Sequence, residues 1–100
     1  MLYAITGQDV PDSLARRQAS RPAHVARLQA LQAQGRLMLA GPFPAIDAED
    51  PGTAGYTGSL IVVEFASLTE AQTWANDEPY LAGGVYAHID VRPFRKTFPS

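Results

Sequence analysis

The chain holds two histidines and no cysteine, so imidazoles and carboxylates are its main means of moving protons. His24 stands in a run rich in Ala, Leu, Arg and Gln, with Leu28 and Leu31 four and seven residues on. At helical spacing the three share one face, which turns the imidazole toward the interior. An imidazole placed there can serve as general base or acid near neutral pH. The plainer alternative is a core histidine donating one hydrogen bond to a carbonyl. Asp77 and Glu78 stand where Pro79 stops a second helix, and either could grip that imidazole. A carboxylate bonded to one ring nitrogen fixes the tautomer and stabilises the imidazolium, the arrangement a histidine base needs. A carboxylate is also electrostatically unfavourable at a helix C-terminus, which tilts the reading toward a functional role.

Other candidates are weaker. Gly41-Pro42 and Gly58-Ser59 fall at expected strand ends, where backbone amides and the Ser59 hydroxyl can meet a small anion or a carbonyl oxygen. Ordinary turn chemistry accounts for the same residues. His88 has no metal-binding neighbour at HxH or HExxH spacing, so no metal site is expected. No GxGxxG or phosphate-loop motif occurs, and Trp74 reads as core.

The elements that must position these groups follow from periodicity and punctuation. Leu2 to Thr6 reads as a first strand closed by Gly7. A helix is predicted from Ser13 to Gln34, capped by Asp12 and ended at Gly35, with a kink or restart near Ser20 because of Pro22. Arg36 to Ala40 gives a second strand that stops at Gly41-Pro42-Phe43-Pro44, and the acidic, Gly-rich stretch from Ala45 to Tyr56 is a mobile lid or a hairpin excursion. Leu60 to Phe65 is a third strand, and Ser67 opens a second helix to Asn76 with Glu70 completing a capping box. After a break at Glu78-Pro79-Tyr80 and a turn at Gly83-Gly84, Val85, Ala87, Ile89 and Val91 alternate with Tyr86, His88, Asp90 and Arg92. The apolar set suits the helix side, which sends Tyr86 and His88 to the opposite face. Pro93 marks an edge strand or its end.

The order is β-α-β-β-α-β: an α+β, ferredoxin-like fold in which two crossovers put both helices on one face of a four-stranded antiparallel sheet. The other face is left bare, and its mixed aromatic and polar side chains suit a second copy, so a homodimer is expected.

With 100 residues, the chain builds one core, and residues 1–100 are read as a single domain. A formal charge of −2 argues against nonspecific nucleic-acid binding. Arg16, Arg17, Arg21 and Arg27 form the only local basic excess and are read as spread around a helix. There is no run of about 18 apolar residues and no basic, apolar leader, so the expected location is the cytoplasm, without membrane contact.

Several short stretches, in order, resemble one family. They are R-P-A-H at Arg21 to His24, A-G-P at Ala40 to Pro42, G-Y-T-G-S at Gly55 to Ser59, W-A-x-x-x-P-Y at Trp74 to Tyr80, A-G-x-Y near Ala82 to Tyr86 and V-R-P-F at Val91 to Phe94. The chain resembles the YciI-like (YCII-related) proteins over essentially its whole length. The resemblance implies a dimeric α+β barrel, similar to muconolactone isomerases, with a pocket in each subunit near the dimer interface. It also implies a dyad of a first-helix His, here His24, and an Asp before a Pro-aromatic pair. Glu78 stands in that acid's place, one methylene longer, with Asp77 just before it. One related group dehydrochlorinates a chlorinated hydroxyquinol, which implies proton abstraction without metal or organic cofactor. The expected activity is that of a cofactor-independent lyase or isomerase acting on a small polar or aromatic molecule, with Arg21, Gly41, Pro42 and Ser59 binding substrate. The rival is a non-catalytic ligand-binding or accessory module, and a third reading is a cofactor-free monooxygenase on the same barrel.

Overall fold

The elements run β1 (Leu2–Asp9), α1 (Leu14–Ala33), β2 (Leu37–Pro44), β3 (Tyr56–Glu64), α2 (Leu68–Asn76), α3 (Pro79–Ala82) and β4 (Tyr86–Phe94), in a computed structural model that describes residues 1–100. The sheet order is β2-β3-β1-β4 and every neighbouring pair is antiparallel, the ferredoxin-like arrangement. Tyr3 and Ile5 of β1, Ile61 and Val63 of β3, Leu31 of α1 and Ala71 and Ala75 of α2 share one buried cluster, which places both long helices over the same sheet face.

Helix α1 ends as its sequence dictates. Gly35 takes a φ of 70°, Arg36 N–H reaches the Leu31 carbonyl at 3.0 Å and Gly35 N–H reaches Gln32 at 2.9 Å, so the last carbonyls are satisfied by a left-handed glycine cap. Its beginning differs from expectation. Asp12 does not cap the helix but turns the chain with a φ of 56°; Ser13 holds the cap position and donates its hydroxyl to Asp9 instead. The restart near Ser20 is also absent, because α1 runs unbroken through Pro22, whose ring lies on the exposed side. Helix α2 starts at the predicted box: Glu70 N–H donates to Ser67 Oγ at 3.1 Å, and Glu70 Oε2 accepts from Ala66 N–H at 3.3 Å.

Two strands outlast their sequence signals. β2 continues through Pro42 and Pro44 because it is an edge strand, where every second amide faces away from the ladder. The segment after it is a hairpin excursion, closed by Ala45 N–H on the Gly55 carbonyl at 2.9 Å. β4 is the other edge and accommodates Pro93. In β4, Gln8 pairs with His88 but Asp9 pairs with Tyr86, so Ala87 is an extra residue at a bulge. The bulge reverses the side-chain phase: Ile89 and Val91 pack against the main core as predicted, and His88 stays exposed. Tyr86 turns inward, however, into a second cluster with Tyr80 and Val85.

Candidate active site

His24 projects from α1 toward the sheet and is 8% exposed. Its Nδ1 lies 2.5 Å from Oε1 of Glu78, whose side chain is wholly enclosed. A carboxylate accepts and does not donate, so Nδ1 carries the shared proton and Nε2 is left as the ring's free basic nitrogen.

Glu78 is held from three sides. Pro79 opens the one-turn helix α3, and Glu78 is its cap residue, Oε1 accepting from Tyr80 N–H at 3.3 Å. The cost of a carboxylate beyond the C-terminus of α2 is therefore offset by its place at the start of α3. Oε2 accepts from Arg27 Nη1 at 3.1 Å. Arg27 in turn caps α2 by donating Nη2 to the Trp74 carbonyl at 2.8 Å, and its guanidinium lies 4.1 Å above the Trp74 ring. The Tyr80 ring stacks on the imidazole with centroids 3.9 Å apart.

A second buried ion pair stands beside the first. Arg17, one turn before Arg21 on α1, donates Nε to Asp9 Oδ2 at 2.6 Å and Nη2 to Asp9 Oδ1 at 2.9 Å. The same Nη2 reaches the Gly58 carbonyl at 3.0 Å and Ser59 Oγ at 2.9 Å. Burial works against the charged guanidinium, but the hydrogen bonds and charge of Asp9 outweigh it and hold the Arg17 pKa above its ordinary value. Burial raises the Tyr80 hydroxyl, with Arg17 and Arg21 opposing it, and pushes Tyr86 up to about 12, with Ser59 opposing. Both phenols therefore stay neutral at physiological pH.

Between α1 and the β2–β3 side of the sheet lies a cleft of about 370 Å³, room for a single-ring molecule. His24, Arg21, Gly41, Pro42 and Ser59 all line it, so the geometry brings those five sequence candidates together. Asp77 is apart: it is exposed, closes α2 and makes no bond to the imidazole, so Glu78 alone supplies the acid. His88 lies on the opposite sheet face, 3.2 Å from Asp90. The arginines expected to be spread around the helix partly converge, Arg17 and Arg21 on the cleft and Arg27 on Glu78. Asp9, Arg17, Tyr56 and Arg27 are site residues that sequence reasoning missed. The legible signal was the spacing of Arg17, Arg21 and His24, which share one helix face at i, i+4 and i+7.

A ferredoxin-like domain whose first helix presents a histidine to an acid at the start of a one-turn helix is the class that fold and site define. The chain belongs to the YCII-related domain family, whose model matches residues 1–95. It is 57% identical over 98 residues to protein YciI of Escherichia coli, covering 98% of this chain and 100% of that one. It is 50% identical over 98 residues, with the same coverage, to an uncharacterized protein of Haemophilus influenzae. Among solved structures it is similar to 5-chloro-2-hydroxyhydroquinone dehydrochlorinase (TftG) from Burkholderia phenoliruptrix AC1100, in complex with 2,5-dihydroxybenzoquinone. That likeness has a TM-score of 0.82 and 27% identity, over 95% of this chain and 94% of that one. The fold is shared with protein Atu4242 from Agrobacterium tumefaciens at a TM-score of 0.53 and 14% identity, over 100% of this chain and 97% of that one.

Proposed function

We propose that this protein is an acid–base enzyme of the lyase or isomerase type acting on a small, flat molecule in the cleft. His24 Nε2 is the base and Glu78 orients the ring and stabilises its protonated form. The observation that carries the reading is the buried bond between His24 and Glu78 on the wall of a ring-sized cleft. In an elimination, Nε2 takes a proton from a ring carbon or hydroxyl, the freed electron pair forms a double bond, and a leaving group departs with its own pair. In an isomerisation the same proton returns at another carbon. Proton transfer is the whole of this chemistry, so no cofactor or metal is called for.

The likeness to a dehydrochlorinase, at 27% identity, supports the elimination branch as a class of reaction without fixing the substrate. We also propose that the protein works in the cytoplasm as a homodimer joined through the bare sheet face, where Leu39, Phe43 and Phe94 are half exposed in the single chain.

The test is proton exchange from D₂O into a panel of hydroxylated quinones and ring lactones, together with release of halide from chlorinated members. The parent should exchange or eliminate at least one class, and His24→Ala should be slower by about a hundredfold or more. A His24→Ala protein as active as the parent would refute the reading in favour of a passive binding module.

A further inference from the structure

The ionisable side chains lining the cleft, apart from the phenols of Tyr56 and Tyr80, are Arg17, Arg21 and His24; none is a carboxylate. Asp9 and Glu78 stand behind Arg17 and His24, so each acid is turned away from an occupant. Arg21 forms no ion pair and lies exposed at the rim. A chain whose formal charge is −2 thus presents a cationic cavity.

Arg17 gives that cavity a fixed donor. Nε and Nη2 donate to Asp9, Gly58 and Ser59, while Nη1 reaches none of these acceptors and is not sealed from solvent; the neutral Tyr80 hydroxyl is the one other protein group set against the guanidinium. The guanidinium carbon lies 5.1 Å from the ring centroids of both Tyr56 and Tyr80, so the group is immobilised before any ligand arrives. Donors that are not satisfied by protein acceptors are met by water or by a ligand. Here one edge is left over, and it belongs to a cleft-lining residue on the same helix face as His24.

We infer that Arg17 Nη1 and Arg21 form an oxyanion subsite, and that the substrate is a planar molecule carrying an ionised oxygen, a carboxylate or an enolate, close to the atom that His24 deprotonates. The inference rests on the proposed role of His24 and names the substrate class for that same site. Its chemical sense is that removing a proton from such a molecule adds negative charge next to charge already present. A preorganised cation beside it stabilises that increase without reorganising.

The experiment uses pairs of similar shape that differ in charge, followed by amide NMR shifts in the whole protein: benzoate against benzamide, and 4-nitrophenolate against its O-methyl ether, 4-nitroanisole, at mildly alkaline pH. The charged member of at least one pair should bind about tenfold more tightly and perturb amides around Gly58 and Ser59. The pair that discriminates tells carboxylate from enolate. Arg21→Gln should remove most of that preference and leave the neutral ligand unchanged. Because Arg17 anchors Asp9, Arg17→Lys is the second variant: it keeps a cation for Asp9 but lacks the free edge, and it should also lose the preference. In His24→Gln the preference should persist. Equal binding of both members, binding of neither, or a preference lost in His24→Gln but kept in Arg21→Gln would each overturn the inference. These results are separate from turnover, so an inactive His24 variant that still prefers the anion would uphold the base and the subsite together. An active His24→Ala would sink the base alone.

Discussion

The Tyr80 ring lies flat against the His24 imidazole, with centroids 3.9 Å apart and planes 10° from parallel, while the backbone amide of the same tyrosine donates to the acid that grips Nδ1. One turn of helix, begun by Pro79, thus sets both the tilt of the imidazole and the position of its partner. Tyr80→Phe keeps the stacked ring and should match the parent in stability and turnover. Tyr80→Leu removes the flat wall, and with the imidazole free to wobble turnover should fall by about tenfold or more through lost orientation. Equal activity in the two variants would show that the stack positions nothing.

Glu78 joins two partners, the His24 imidazole on one oxygen and the Arg27 guanidinium on the other, with no exposure to water. Removing its charge leaves Arg27 unpaired against Trp74 and should destabilise the fold by about 3–5 kcal/mol. Glu78→Gln, measured by urea unfolding at neutral pH, should show a loss of that order together with lost turnover. Glu78→Asp retains the charge and the capping role and should lose clearly less stability. Equal losses in the two variants would mean that length, not charge, is what the site requires.

How much of this was readable in the residues varies by element. The helix-face position of His24, the glycine cap of α1 and the Ser67–Glu70 box came directly from spacing, because those signals are local and α-helical geometry enforces them. The β-α-β-β-α-β order was likewise legible. Tyr86 was misplaced because alternation presumes an unbroken pleat, and the extra residue at Ala87 is decided by pairing with β1, which lies far away in sequence. The prolines of β2 read as a stop because an edge strand cannot be told from a central one without knowing the sheet order. The choice between Asp77 and Glu78 was open for the same kind of reason: two adjacent carboxylates differ only once Pro79 is seen to start a helix and not merely to end one. Arg17 lay in plain view on the His24 face, but its partner Asp9 comes from the end of β1, and no local pattern joins them.

Gly7 is required by the inward turn of Tyr86. A Cβ at Gly7 would stand 2.5 Å from two carbons of the Tyr86 ring, closer than any real contact. Gly7→Ala should therefore destabilise by about 1–3 kcal/mol through overpacking. The double variant Gly7→Ala/Tyr86→Leu should recover part of that loss relative to the two single changes added together. Strict additivity would place the cause elsewhere.

The bare face offers a test of assembly. Leu39 and Phe94 lie on the two edge strands, and Leu60 and Val62 between them on the same face, in register with Thr6 and Ala4. A charge at the half-exposed Leu39 leaves the single chain's core untouched but opposes burial against a second copy. Sedimentation should give twice the chain mass for the parent and the single-chain mass for Leu39→Glu, with circular dichroism unchanged. A parent that sediments as a single chain at micromolar concentration would end the dimer proposal.

The Tyr86 hydroxyl is buried without a hydrogen-bond partner, and burial has pushed it up to about 12 from an ordinary 10.0. Below pH about 10 the native and unfolded chains both keep this proton, and stability does not depend on it. As pH rises further the unfolded chain loses the proton first, because the native phenol holds it up to about 12, so deprotonation favours the unfolded state. Across that window the native state should lose roughly 2–3 kcal/mol, and the raised Tyr80 adds a loss of the same sign. Tyr86→Phe removes the titrating group and an unpaired buried oxygen together. Urea midpoints followed from neutrality into strong alkali should show the variant more stable than the parent by about 1 kcal/mol at neutral pH, with a shallower alkaline decline. A variant less stable at neutral pH would mean that the hydroxyl has a partner, Ser59 being the nearest candidate. An unchanged alkaline slope would mean that other groups, Tyr80 first among them, carry the titration.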